Sequence, residues 1–182
     1  AVNSCTAALH LSLLCNNFKK GKKVLVPAIT FSATAAAVLY CGLIPVFVDI
    51  NKNDLNMNVD DLKKKFTRDC VAIMPVHFGG HPCEMDKIMH FANQKKLVVI
   101  EDCAETCGGY YKGKMIGTWG HFGCYSFEEK KMMTTGDGGM IVTNNKSMAK
   151  KLKSLSFHGW DKDPLLRHKQ RFLNNPKKLK NN

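Results

Sequence analysis

Two lysines stand side by side at Lys130 and Lys131, shortly after Ser126, and a Thr134-Thr135-Gly136-Asp137-Gly138-Gly139 turn follows them. A strand-like run, Phe122 to Phe127, leads in, and a second apolar run, Met140 to Val142, leads out. A lysine amine held just past a strand end, beside a glycine-rich turn, is placed to attack a carbonyl and form a Schiff base. The same residues also describe a solvated lysine pair in a hairpin loop, since exposed lysines are common.

Two further sites bear on that choice. Asp102 closes the apolar run Leu97-Val98-Val99-Ile100-Glu101. A carboxylate at the end of a buried strand needs a partner. A pyridine nitrogen would be one, and the carboxylate would hold it protonated; the start of a following helix would be another. Ser4-Cys5-Thr6-Ala7-Ala8-Leu9 opens an apolar helical pattern that runs to Leu14, with Ser4 or Thr6 as its cap. Such a helix start attracts phosphate, although an ordinary capped helix reads the same way. Taken together, the lysine, the carboxylate and the helix start are the three fixings of an aldehyde–pyridine–phosphate cofactor, pyridoxal phosphate (PLP).

The elements that must position these groups alternate. Strands are expected at Lys23–Pro27, Ile44–Asp49, Cys70–His77 and Leu97–Asp102, and helices at Ala33–Tyr40, Val59–Phe66 and Glu84–Asn93. Strands apolar on both faces and interleaved with helices predict an α/β fold, a mostly parallel sheet covered on both sides in three α/β/α layers. Ligands collect at the carboxyl ends of such strands, where His77, Asp102 and Lys131 fall.

Composition narrows the function classes. The chain has 182 residues, 45% hydrophobic and 23% charged, enough for one domain with a core. Its apolar runs stop well short of a membrane span. The net charge of +12 comes overwhelmingly from lysine, with arginine only at Arg68, Arg167 and Arg171, so specific nucleic-acid reading is not expected. Eight cysteines without a C-x-x-C pair fit reduced thiols in the cytoplasm better than disulfides or a zinc ribbon. Cys103, Cys107 and His121 can be drawn as a metal site, but no metal is expected. The chain opens at Ala1 without an initiator Met and ends in a polar tail over 160–182, so it is expected to be a piece of something longer.

From Ser4 to about Gly159 the chain resembles the DegT/DnrJ/EryC1/StrS family, PLP-dependent sugar aminotransferases of the aspartate aminotransferase-like fold. The resemblance is carried by Ser4-Cys5-Thr6-Ala7-Ala8-Leu9-His10, Pro27-Ala28-Ile29-Thr30-Phe31, Pro45-Val46-Phe47-Val48-Asp49, Pro75-Val76-His77, Ile100-Glu101-Asp102 and Ser126 through Gly139. It implies that Lys131, rather than Lys130, is the Schiff-base lysine, and that Asp102 pairs with the pyridine nitrogen. It also implies that Phe31 stacks on the ring, that Thr6, Ala7 and Ser126 hold the phosphate, and that Glu105 lies near the phenolic oxygen. Residues 1–159 would then be the PLP-binding large domain of a homodimer that moves an amino group, with glutamate as donor, to a nucleotide-linked keto sugar. Cys5 stands where family members usually carry Gly, Glu128 where they have an aromatic residue or His, and Asp137 where they have Glu. Members run to about twice this length, so a truncated, non-catalytic product is one alternative. A sugar dehydratase of the same family is another, but its usual mark is His in place of the lysine.

Overall fold

The computed structural model describes residues 1–160; the tail expected beyond them lies almost wholly outside the described residues. Helices are α1 (Cys5–Leu14), α2 (Ser32–Tyr40), α3 (Val59–Lys65), α4 (Met85–Lys95) and α5 (Lys146–Leu155). Strands are β1 (Lys23–Pro27), β2 (Ile44–Val48), β3 (Cys70–Ile73), β4 (Val98–Cys103), β5 (Tyr110–Tyr111), β6 (Lys114–Met115), β7 (Phe122–Ser126) and β8 (Gly139–Val142). β5 and β6 form a small separate hairpin.

The main sheet runs in the order β2-β1-β3-β4-β7-β8. All neighbours pair in parallel except β7 and β8, which are antiparallel. The expected mostly parallel α/β sheet is therefore present. One boundary moves: the strand expected over Cys70–His77 stops at Ile73. Beyond it Val76 makes a single bridge to Asp102 in β4, and Pro75, which has no N–H, contributes only its carbonyl, to the Asp102 amide at 2.8 Å.

Alternation along the strands divides the core. Val24, Val26, Ala72, Met74, Ile100 and Phe122 join Ala8, Leu9, Leu13 and Val38 on one face. Leu25, Ile73 and Val99 join Leu62, Met85, Ile88 and Phe91 on the other. Neighbouring strand residues point to opposite faces, so helices α1 and α2 cover one side and α3 and α4 the other, completing three layers. Helix α1 buries Cys5, Ala8, Leu9, Ser12 and Leu13, the spacing of one helical face. Helix α5 was not read from the sequence; Met148, Leu152 and Leu155 after the Asn145 cap are the signal that could have found it.

The start of α1 is pinned to the sheet. Val2 and Gly139 exchange backbone hydrogen bonds of 2.9 and 2.8 Å. A Cβ on Gly139 would lie 2.4 Å from the Ser4 carbonyl carbon, so only glycine lets β8 approach the helix start so closely.

Candidate active site at the carboxyl edge of the sheet

A cavity of about 450 Å³ opens where β1, β3, β4 and β7 end. Its walls come from separate parts of the sequence: Ser4, Cys5 and Thr6 from the start of α1, Thr30 and Phe31 from the turn after β1, and Asp102 and Glu105 from the end of β4. Ser126, Lys130 and Lys131 follow β7. Of the residues singled out in the sequence, Thr6, Phe31, Asp102, Glu105, Ser126 and Lys131 line this one space; Ala7 does not.

Asp102 is the fixed point. It is 4% exposed. Oδ2 accepts the Thr34 hydroxyl at 2.8 Å, and Oδ1 accepts the Ala104 amide at 3.1 Å. Burial pushes its carboxyl above the ordinary range, opposed chiefly by the Thr34 hydroxyl and then the Ala104 amide. It has no ion pair among the described residues. A carboxylate has about four acceptor positions, so acceptor capacity remains for a donor entering the cavity, and a cationic donor would offset the burial cost. Thr34 was read only as part of an alanine-rich helix. Its partner lies far away in sequence, and nothing local signals the contact.

Lys131 is half-buried and Lys130 exposed, though both line the cavity. The Lys131 ammonium has no hydrogen bond or ion pair among the described residues, and its charge is felt at Cys5. Its backbone amide donates to Glu128 O at 3.0 Å, and Ser126 Oγ accepts from the Glu128 amide at 3.4 Å. Glu105 Oε2 accepts the Gly79 amide at 2.6 Å. Phe31 precedes α2 and stays 78% exposed, an aromatic face left open at the cavity rim.

Ser4 caps α1, its Oγ accepting the Ala7 amide at 3.1 Å. The Ala7 N–H is thus already used, whereas the Cys5 and Thr6 amides have no partner among the described residues and remain open to an anion. Cys5 does not obstruct them. Its thiol is turned toward the sheet, 3.5 Å from the Cys124 carbonyl and 3.9 Å from Asp102 Oδ1. Burial, then the Asp102 carboxylate, pushes that thiol far above its ordinary range, so it stays neutral.

His77 lies beyond the end of β3, on the cavity side of the sheet, but serves the interior. Its Nδ1 accepts the Cys83 amide at 3.1 Å, which leaves the proton on Nε2, 3.2 Å from Glu101 Oε2. Glu101 also accepts the Gly117 and Gly120 amides at 2.8 and 2.6 Å. His77, Glu101 and Cys103 lie within metal-ligating distance of one another, but these hydrogen bonds already occupy the histidine and the carboxylate. The Cys103, Cys107 and His121 grouping does not assemble: Cys107 is exposed, and His121 Nδ1 accepts the Val99 amide.

A three-layer α/β domain with a lysine, a buried carboxylate and a helix start on one cavity is the architecture of a cofactor-binding transferase domain. The model of the DegT/DnrJ/EryC1/StrS aminotransferase family matches residues 1–181, and the chain belongs to that family. It is 46% identical over 147 residues to GDP-perosamine synthase of Escherichia coli O157:H7, covering 81% of this chain and 40% of that protein. It is 42% identical over 157 residues to a UDP-N-acetyl-3-dehydro-alpha-D-glucosamine 3-aminotransferase of Acidithiobacillus ferrooxidans, covering 86% and 42%. The crystal structure of S. venezuelae DesV in complex with a ketimine intermediate superposes with a TM-score of 0.86 at 33% identity, over 90% of this chain and 44% of that one. The chain thus spans less than half the length of these relatives.

Proposed function

We propose that this chain is the PLP-binding large domain, residues 1–159, of an aminotransferase that moves an amino group from a donor, glutamate, to a nucleotide-linked keto sugar. The observation that carries the reading is the convergence of Asp102, Lys131 and the open amides of α1 on one cavity. Membership of the family and relatives named for GDP- and UDP-linked sugars support the substrate class.

When bound, PLP supplies an aldehyde that takes up an amine nitrogen and a pyridine ring that accepts an electron pair from the adjoining carbon. The chain's residues divide the remaining work. Asp102 would hold a proton at the ring nitrogen, and a positive charge there would relieve the burial cost of the carboxylate. The Thr6 amide and the Ser126 hydroxyl hold the phosphate; Ala7 contributes through the helix rather than through its capped amide. Phe31, exposed at the cavity rim, would cover the ring and keep water from it. Glu105, held by the Gly79 amide, would serve the phenolic oxygen. Lys131 Nζ would hold the aldehyde, and its amine, when free, would take the proton from the donor carbon and deliver it to the cofactor.

Lysine at 131 favours transamination over the dehydratase alternative, whose mark is histidine there. The complete enzyme is read as a cytoplasmic homodimer; among the described residues no helix is long and apolar enough to cross a membrane. The test adds excess PLP to the purified chain. A visible absorption band that borohydride converts into a covalent adduct is the expected result. A chain that takes up no PLP, while a full-length relative does so under the same conditions, contradicts the reading for this polypeptide and leaves the non-catalytic alternative.

A further inference from the structure

We infer that Thr34 is a positioning residue for Asp102, completed by Thr30 in a directed two-hydroxyl relay that binds the anionic carboxylate and fixes its orientation at the cavity; the inference rests on the function proposed above. Thr34 is fully buried in the first turn of α2. Its Oγ1 lies 2.8 Å from Asp102 Oδ2 and 2.7 Å from Thr30 Oγ1. A hydroxyl has one proton. With Asp102 ionised, Thr34 must give that proton to the carboxylate, and so it must accept from Thr30. Among the described residues the Thr30 proton has one other acceptor, Phe31 O at the longer distance of 3.3 Å. The order Thr30 to Thr34 to Asp102 is therefore set by proton count and distance.

The relay has a structural consequence. The α2 start that presents Phe31 at the cavity rim also seats Thr34 on Asp102, so one turn of backbone registers the exposed aromatic face against the buried carboxylate. Among the described residues the other contacts to the carboxylate are on Oδ1, from the Ala104 amide at 3.1 Å and the Cys5 thiol at 3.9 Å; Thr34 is the side chain that holds Oδ2. Hydrogen bonds to a charged acceptor are roughly twice as strong as neutral ones, so the relay favours the anion. The other titratable groups near Asp102 are Cys5 from α1, Cys103 from β4, Cys124 from β7, His77 after β3 and Glu105 after β4, with Lys131 on the same cavity. Burial keeps the Cys5 and Cys124 thiols neutral; the Cys5 S–H is a weak donor at 3.9 Å from Oδ1, against 2.8 Å from the Thr34 hydroxyl to Oδ2.

The experiment follows the Asp102 carboxyl by carbon-13 NMR through a pH titration of the whole chain, the resonance being identified by its loss in Asp102→Asn. PLP affinity is measured in parallel. Thr34→Val keeps the side-chain shape and removes the hydroxyl. It is expected to raise the carboxyl midpoint and weaken PLP binding by about tenfold or more, while Thr34→Ser restores both. Thr30→Val should move both in the same direction by less. A Thr34→Val chain that titrates like wild type, or a Thr34→Ser chain that behaves like Thr34→Val, overturns the relay. If Thr34→Val does not fold, the half-buried Thr30→Val decides: a midpoint shift supports the relay and none overturns it. The titration needs no cofactor, so a wild-type chain that binds no PLP defeats the proposed function without touching the carboxyl result.

Discussion

Asp102 and Lys131 meet at one cavity but belong to different kinds of structure. Asp102 sits in the central strand β4, 4% exposed, with both oxygens bonded. The strand residue before it, Glu101, takes two loop amides and His77. Lys131 sits in an exposed turn whose hydrogen bonds are mostly internal, such as Thr134 Oγ1 to Phe127 O and Thr135 Oγ1 to Asp137 O. The contrast follows from the two tasks proposed. A carboxylate that holds a proton on a ring nitrogen acts best when it cannot move. A lysine that must bind, let go and then carry a proton needs freedom at its amine. The fold places immobility on the strand and freedom on the loop.

That contrast is open to attack by substitution, and the largest effect is expected on the strand. Glu101→Ala leaves two loop amides and His77 without their acceptor in a fully buried site. It should cost about 3–5 kcal/mol, read as a large fall in denaturant midpoint. Gly139→Ala, where β8 meets the helix start, should cost about 1–3 kcal/mol from overpacking and should loosen anion binding at Cys5 and Thr6. A Gly139→Ala chain as stable as wild type would show that the helix start is not held as described.

Asp102→Asn tests the strand side through its charge. The folded-state carboxyl is raised by burial, so the folded chain holds its proton more tightly than the unfolded chain does. Stability from this group therefore falls as pH rises through the unfolded value, near the ordinary 3.8, toward the folded one. The cofactor-free Asn variant should gain on wild type as pH rises through that window, while binding PLP less well at neutral pH. Equal stability of the two chains at every pH would remove the burial argument. The smallest effect is expected in the loop. At Gly136 a Cβ meets nothing within 4 Å, and the backbone strain at φ +82° leaves about 1–2 kcal/mol as the cost of Gly136→Ala.

The sequence disclosed the two regions unequally. Strand and helix spans were legible because apolar runs and caps are local: of the two caps offered for α1, Ser4 and Thr6, Ser4 is the one used, and four of the strands sit within a residue or two of expectation. The Cys70–His77 strand was overextended because its apolar character continues past Ile73, where regular pairing gives way to a single bridge to Asp102. His77 shows the limit of positional reading. A strand end gives a residue's location but not the direction of its ring, which here faces Glu101 and the Cys83 amide. Thr34 was invisible for a related reason: in sequence it is one residue of an alanine-rich helix, and its partner is on another strand. Lys131 and Asp102 stood out because their types are costly or reactive at strand ends. The choice of Lys131 over Lys130 came from the family resemblance; in the structure both reach the cavity, with Lys131 the less exposed.

The most direct measurement is therefore the site of covalent capture. The 182-residue chain is incubated with excess PLP, reduced with borohydride, digested and sequenced by mass spectrometry. The adduct is expected on Lys131, lost in Lys131→Ala and retained in Lys130→Ala. An adduct on Lys130 that persists in Lys131→Ala would contradict the assignment of the loop lysine and the division of labour drawn from it.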